Sequence, residues 1–474
     1  MNKEKQLFKN TAIVSIGKLC TQLITFFLLP LYTYALSTEE YGIVDLLNTL
    51  ISLFIPIVIL QIDQGVFRYL LDVRDKEEEK KKIISSTIFF TIIQSVIYLI
   101  LFSFASQFIH NDYKYFLAIN LVAIAFSTIL LQISRGIGDN VRYAVGSFLT
   151  GLVTVILNVV LIIVFHLGAY GLLIASLCGN IICIIYILFA KKLYNYTKVK
   201  YFDKAILKYI LKYSILLVPN MLSWWIVSAS DRLIISTIIG VSANGIYSAA
   251  NHFSGIFSTL NSVINMTWTE SAALNIEAED KEQFFSKIFK LYIQFFGALC
   301  LGVIAFMPFV FSILVNSKFN GAYYQIPILI IATFFNILTS FLGSIYIAKK
   351  LTNEIAKTSM ISALINIIIN ISLIHFIGLY AASISTLVSY FIMFIYRLID
   401  SKKYVKMQLN QKLLFSLMLM CVITIVAYYI KNIYLCVIVA VIITIYAIYI
   451  NKNNAKFIID LIKNKLGGNF VHKQ

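Results

Sequence analysis

Apolar residues run through this chain in long unbroken blocks, separated by short polar stretches. A helix needs about 20 apolar residues to cross a bilayer. On that ruler the blocks predict fourteen spans, near 11–34, 42–70, 83–107, 113–134, 142–166, 169–190, 209–239, 243–269, 286–307, 323–348, 355–377, 379–399, 412–430 and 433–450. The breaks at His166–Tyr170 and Phe376–Tyr380 are so short that they predict tight helical hairpins. The expected fold class is an all-α polytopic membrane protein. Composition agrees, because 60% of the 474 residues are hydrophobic and 13% are charged, a surface that would precipitate in water.

The blocks also resemble one another. EEYGIVDLLNTL (Glu39–Leu50) aligns with SANGIYSAANHF (Ser242–Phe253), and GAYGLLIAS (Gly168–Ser176) with GLYAASIST (Gly378–Thr386). An asparagine precedes each member of the second pair inside an apolar run, Asn158 and Asn370. The offsets, 203 and 210 residues, indicate one six-helix unit used twice in parallel. The expected domains are an N-terminal lobe with a basic linker over 1–200, a second lobe over 201–400, and two further helices with a basic tail over 401–474. Two similar lobes are the usual layout for alternating access. Pro30 and Pro56 fall within the first two spans and allow bends there.

Charge orients the spans. The net charge is +17, with 39 basic residues. With the N-terminus placed in the cytoplasm, 34 of the 39 fall in inner segments and their helix ends, among them Arg397, and three (Lys114, Lys318 and Lys431) face outward. Lys18 and Arg232 remain inside spans. This distribution assigns the basic excess to loops beside anionic lipid rather than to nucleic acid. It predicts a multi-pass protein of the cytoplasmic membrane with both termini inside. The basic start MNKEKQLFKN leads into an apolar run too long for a cleaved leader, so the first span is expected to stay as an anchor. The six cysteines all lie in apolar runs, at spacings that suit neither metal nor disulfide. No phosphate-binding loop is present, so no cofactor is expected and energy would come from a proton or sodium gradient or from the substrate.

Candidate chemistry lies in the charges within the spans. A charge near the bilayer centre costs about 2.5–3.5 kcal/mol on insertion scales. Asp231 and Arg232 fall in span 7, about 12 Å below Gly240 at 1.5 Å per residue, and His252 lies at a similar depth in span 8. Arg232 and His252 at one level would suit an anion, with Asp231 fixing the arginine; alternatively Asp231 and Arg232 neutralise each other and brace two helices. Lys18, in span 1, either lines a cavity or reaches the inner headgroups. Asp63 and Arg68 lie toward the cytoplasmic end of span 2; Asp63 is the deeper and would suit a proton or cation, and Arg68 lies near the interface. Trp224, Trp225 and Trp268 are expected in the interfacial belt, or alternatively as cavity platforms for sugar rings.

The motifs now resemble a known family. LLPLYTYALSTEEYGIVDLL (Leu28–Leu47) with DQGVFRYL (Asp63–Leu70), SDRLIISTIIGVSANGIYSAA (Ser230–Ala250) and ILNVVLIIVFHLGAYGLLIAS (Ile156–Ser176) are similar to bacterial polysaccharide flippases. These are O-antigen and capsule repeat-unit exporters of the multidrug/oligosaccharidyl-lipid/polysaccharide superfamily, and the resemblance spans residues 10–400. It implies a MATE-like arrangement of the lobes. The implied function is movement of undecaprenyl-pyrophosphate-linked oligosaccharide between leaflets, through a basic cavity. It carries a substrate-binding role onto Arg232, Arg68 and Lys18. The chemistry agrees, since a guanidinium binds phosphate oxygens bidentately. His252 joins the proposed binding set, and Asp231 and Asp63 are the candidates for coupling or charge balance. Expected partners are the lipid-linked oligosaccharide and membrane lipids, with a polysaccharide polymerase and a chain-length regulator downstream.

Three alternatives stand beside this reading. A cation-coupled multidrug exporter of the same superfamily would favour buried carboxylates, whereas the buried charges here are mixed. A lipid II flippase would be expected to cluster helix arginines, which are not found. A membrane-embedded O-antigen polymerase or glycosyltransferase would carry a sizeable outer loop or a catalytic domain, and the chain has neither, so a transporter rather than an enzyme is expected.

Overall fold

The computed structural model describes residues 26–108, 111–190 and 193–467. Among them are sixteen α-helices and no strand: α1 (Leu29–Ala35), α2 (Thr38–Val58), α3 (Ile62–Asp72), α4 (Glu77–Ala105), α5 (Lys114–Gly136), α6 (Asn140–Val159), α7 (Gly168–Ala190), α8 (Lys204–Ser214), α9 (Val218–Ile238), α10 (Val241–Asn275), α11 (Lys281–Leu314), α12 (Gly321–Ala348), α13 (Thr352–Ile377), α14 (Leu379–Ser401), α15 (Gln411–Ile430) and α16 (Ile433–Gly467). Twelve helical segments within the described residues are long and apolar enough to cross a membrane. Two of the fourteen expected spans are not among them. Most of the first lies outside the described residues. The eighth is α10, a 35-residue helix carrying Asn244, Asn251, His252, Asn261 and Asn265, and it is too polar to be counted with the twelve. The chain is therefore a multi-pass membrane protein.

Helix ends follow local chemistry. Ser37 and Glu40 form a reciprocal capping box at α2: the Glu40 amide donates to Ser37 Oγ (3.1 Å) and the Ser37 amide to Glu40 Oε2 (2.9 Å). Asp203 caps α8 by accepting from the amides of Ala205 and Ile206.

Two expected spans are interrupted. The second breaks after Pro56: Leu60 and Gln61 take left-handed backbone (φ 49° and 54°), and the chain restarts as α3. Proline disturbs the turn on its own N-terminal side, and α2 runs unbroken through Pro56 to Val58, so the interruption lies beyond the bend anticipated there. The seventh span is α8 and α9 joined by a 3₁₀ turn at Ile215–Leu217, with Pro219 in the first turn of α9, where a missing amide hydrogen costs little. Irregular backbone at membrane depth is tolerated only where protein or water covers it.

The helices pack as two compact units: Met1–His252 with Asn370–Leu379, and Phe253–Ile369 with Tyr380–Gln474. These boundaries fall inside α10, inside α13 and after the first residue of α14, not at the linker 191–208 that separates the lobes of the sequence repeat. In the first unit, Val66 and Leu70 of α3 join Ile84 and Ile88 of α4, Ile129 and Ile133 of α5 and Ile210 of α8 in one apolar core. In the second unit, Trp268 of α10 stacks on Phe341 of α12 (centroids 4.3 Å apart, 8° between planes) and donates Nε1–H to the Phe341 carbonyl (3.1 Å). Trp268 is thus a core residue rather than a belt residue. Arg397 also departs from expectation. It is 2% exposed, inside the second unit, and its guanidinium donates to Thr358 Oγ1, Ser359 Oγ and the carbonyls of Thr339 and Ile355.

Candidate functional site

The site lies in the first unit, where α2, α9 and α10 meet. α9 and α10 are separated by Ile239 and Gly240 alone, with Gly240 at φ 128°. The start of α10 lies directly against the start of α2. A Cβ on Gly42 would fall 2.0 Å from the Val241 carbonyl oxygen, and one on Gly245 would fall 1.9 Å from that of Thr38. Gly42 and Gly245 are equivalent positions of the two repeated segments, so the copies of that segment meet back to back at their glycines. Thr38 Oγ1 and Ser242 Oγ share a hydrogen bond of 2.7 Å, and Asn244 Nδ2 donates to the Gly42 carbonyl (3.0 Å).

This close approach sets the charges. Arg232 Nε lies 3.1 Å from Asp45 Oδ2, an ion pair between α9 and α2. The two side chains keep 25% and 19% exposure. Asn244 Nδ2 also donates to Asp45 Oδ2 (3.2 Å). The ion-pair partner of Arg232 is thus Asp45, on another helix, rather than its chain neighbour Asp231. Consecutive residues of a helix point about 100° apart, so Asp231 and Arg232 face different neighbours. Asp231 is 5% exposed and accepts from Tyr247 Oη (3.0 Å) and from Asn370 Nδ2 (2.9 Å).

Asn370 has a counterpart in the first repeat. Asn158 Nδ2 donates to Tyr32 Oη (2.8 Å). In each copy, the asparagine of the fifth helix holds the first helix of its own copy, through Tyr32 on α1 or Asp231 on α9. Asn158 stands just before a π-helical turn at Val160–Val164, an irregularity that often accompanies function.

His252 lies beside this cluster. Its ring centroid is 6.1 Å from that of Tyr41, and Asp45 and Arg232 are its charged neighbours. The structure thus brings Arg232, His252 and Asp231 of the expected residues into one region. Asp63 and Arg68 are not joined to it by any hydrogen bond or ion pair among the described residues. Asp63 is 5% exposed in the first turn of α3, just past the helix break. Its Oδ2 accepts from Gln64 Nε2 (2.7 Å), and its Oδ1 has no hydrogen-bond partner among the described residues. Arg68 is half exposed and pairs with Asp72 (2.7 Å), one turn away on the same helix. Lys18 lies outside the described residues. Sequence reasoning missed Asp45. A carboxylate four positions into a predicted span was the available signal.

The arrangement can hold an anion. A partly accessible guanidinium within a span, its counter-ion on another helix, can exchange that carboxylate for a ligand oxyanion with two donors in a fork.

The fold is that of the MOP transporters. A multidrug resistance MATE transporter of that superfamily, in an inward-facing conformation, is 14% identical with a TM-score of 0.68, over 82% of this chain and 97% of its own. The lipid II flippase MurJ, in an inward closed conformation, is 14% identical with a TM-score of 0.68, over 95% of this chain and 99% of its own. A MOP superfamily transporter from Pyrococcus furiosus, described by the reverse polarity of its binding pocket, is 14% identical with a TM-score of 0.58, over 83% of this chain and 95% of its own. No curated protein matches the sequence. The family model described as "Polysaccharide biosynthesis protein" matches residues 7–269, more than half of the chain, and the chain belongs to that family.

Proposed function

We propose that this protein is a flippase that carries undecaprenyl-pyrophosphate-linked oligosaccharide repeat units across the cytoplasmic membrane, by alternating access, for surface polysaccharide synthesis. The observation that carries the reading is the Asp45–Arg232 pair, a guanidinium inside the membrane that remains partly accessible. Pyrophosphate offers several charged oxygens where Asp45 offers a single carboxylate, so it displaces Asp45 from the guanidinium. Asp45 keeps Arg232 charged and oriented between cycles. His252 adds a second nitrogen beside the pair. Arg68, exposed at the far end of α3, would meet the headgroup outside the cluster, and Lys18 is retained on the family resemblance alone. The sugar would travel in water and the polyprenyl tail in lipid. The reading needs no catalytic residue or cofactor. The family and the lipid II flippase fold support it, and a polymerase and a chain-length regulator would take the product.

The test is flipping of fluorescent lipid-linked oligosaccharide in vesicles that contain the purified protein. Arg232→Ala should insert normally and lose flipping. Equal rates in the variant and the parent would overturn the reading.

One observation favours a second reading. Asp63 is a buried carboxylate with one oxygen unpartnered among the described residues, which suits a cation. A cation-coupled multidrug exporter would use it so. Transport of a cationic dye that depends on Asp63, with no lipid flipping, would establish that reading instead.

A further inference from the structure

A second polar site lies in the other unit, at the end where α11 leads to α12 and α15 to α16. Pro308, Phe311, Asn320, Tyr324, Lys431 and Ile433 line a cavity of about 280 Å³ there. Its lining combines apolar proline, phenylalanine and isoleucine with polar asparagine, tyrosine and lysine.

Lys431 is held with care. It ends α15 in the left-handed region (φ 58°), which a residue other than glycine seldom occupies. Its Nζ donates to Tyr324 Oη (2.7 Å) and lies 4.3 Å from the Tyr324 ring centroid and 4.9 Å from that of Tyr323. The tyrosines are themselves fixed. Tyr323 and Tyr428 stack at 4.2 Å and donate hydroxyl hydrogens to each other's carbonyls (3.1 and 2.7 Å). Tyr429 Oη donates to the Tyr324 carbonyl (2.8 Å). Asn320 starts α12 without a capping bond from its side chain, which leaves that amide available.

The ammonium has rings and a hydroxyl around it and forms no ion pair with a carboxylate among the described residues. Among this unit's described residues, the only other charge at this end is Lys318. The carboxylates of this unit's described helices and loops, from Glu270 to Glu282, Glu354, Asp400 and Asp460, all fall at the opposite helix ends. This end therefore carries positive charge alone. A cavity near the lower bound for small-molecule sites suits a headgroup better than an oligosaccharide.

We propose that this cavity binds the phosphate headgroup of an anionic phospholipid of the surrounding leaflet. The phosphate would sit on Lys431 Nζ and the Asn320 amide, and the acyl chains would leave past Phe311 and Ile433. The inference is independent of the flippase reading.

The test uses the full chain in nanodiscs of phosphatidylcholine with graded phosphatidylglycerol, and native mass spectrometry to count retained phosphatidylglycerol. Lys431→Asn removes the charge while asparagine accepts the left-handed backbone, so the fold should persist. Retention should fall about five-fold, the loss of one lysine's attraction to an anionic headgroup, and Lys431→Arg should keep it. Asn320→Ala, which removes no capping bond, should weaken retention as well, and it stands in if Lys431→Asn does not fold. Equal retention in the parent, Lys431→Asn and Asn320→Ala would overturn the site. A rise in thermal midpoint with glycerol phosphate that matches the phosphatidylglycerol effect and needs Lys431 would assign the cavity to a soluble phosphate and overturn the lipid.

Discussion

Arg232 forms its ion pair with Asp45 on another helix rather than with Asp231 beside it in the chain. Breaking a fully buried pair costs about 3–5 kcal/mol and an exposed one under about 1. This pair is partly exposed, so each single reversal, Asp45→Arg or Arg232→Asp, should cost about 2 kcal/mol, between those limits. The double reversal should restore the thermal midpoint in detergent. It should not restore transport, because the guanidinium then sits on α2 rather than α9. A double variant that flips lipid at the parent rate would reduce the pair to a brace.

Gly42 and Gly245 make a second expectation, on stability alone. Any side chain at either must move backbone atoms of the facing helix, since a Cβ would fall 2.0 or 1.9 Å from a carbonyl oxygen. Overpacking costs about 1–3 kcal/mol and sometimes more. Gly42→Ala and Gly245→Ala should each lower the yield of folded protein sharply. Gly302, inside α11 with nothing within 4 Å of a Cβ, is the control. Gly302→Ala should raise stability by about 0.5–1 kcal/mol, the helix preference for alanine. A Gly42→Ala protein as stable as Gly302→Ala would contradict the close approach of α2 and α10.

Asp63 offers the test of coupling. An ionised carboxylate at 5% exposure is costly unless something compensates it. Gln64 and the start of α3 compensate one oxygen, and Oδ1 is left for a proton or a sodium ion. Asp63→Asn keeps the shape and removes the exchangeable charge. In vesicles with an imposed gradient it should abolish the gradient dependence of transport and leave a slow, gradient-independent rate. Unchanged dependence on both protons and sodium would remove Asp63 from the coupling pathway.

Much of this was legible in the sequence, and the misses have physical causes. Block length gave the spans, because a bilayer imposes a length and a polarity that no tertiary contact overrides. The repeat aligned the segment around Gly42 with that around Gly245, and Asn158 with Asn370. Asp45 was passed over because a charge near the start of a span reads as interfacial. Only the glycine-to-glycine approach of α2 and α10 brings it to Arg232. The break at Leu60 and Gln61 was hidden because neither residue favours left-handed backbone, so its cause is tertiary and Pro56 is the one local hint. Trp268 and Arg397 read as interface residues by type. Their burial depends on neighbours, Phe341 and Thr358, that lie far away in the chain.

Arg397 carries the last prediction. It is buried among neutral acceptors from α12 and α13, with Tyr346 5.9 Å from its guanidinium carbon. The nearby carboxylate, Asp400, is engaged by Tyr346 Oη and Lys403. Most of the acceptors survive its loss: Thr358 Oγ1 also donates to the Glu354 carbonyl (2.8 Å), and the Thr339 and Ile355 carbonyls lie within helices. Replacing a buried charge by an apolar residue of similar volume is often neutral, whereas a lysine is more strongly hydrated and lacks the fork. Arg397→Met, which removes a buried charge that has no counter-ion among the described residues, should therefore stay within about 1 kcal/mol of the parent, and Arg397→Lys should lose about 2–4 kcal/mol. Thermal midpoints in detergent decide the order, and a Met variant less stable than the Lys variant would show that the guanidinium network itself holds α12, α13 and α14 together. Transport by the stable Met variant then separates packing from charge: full activity makes Arg397 a packing residue, and loss of activity at parental stability gives its charge a part in the transport cycle.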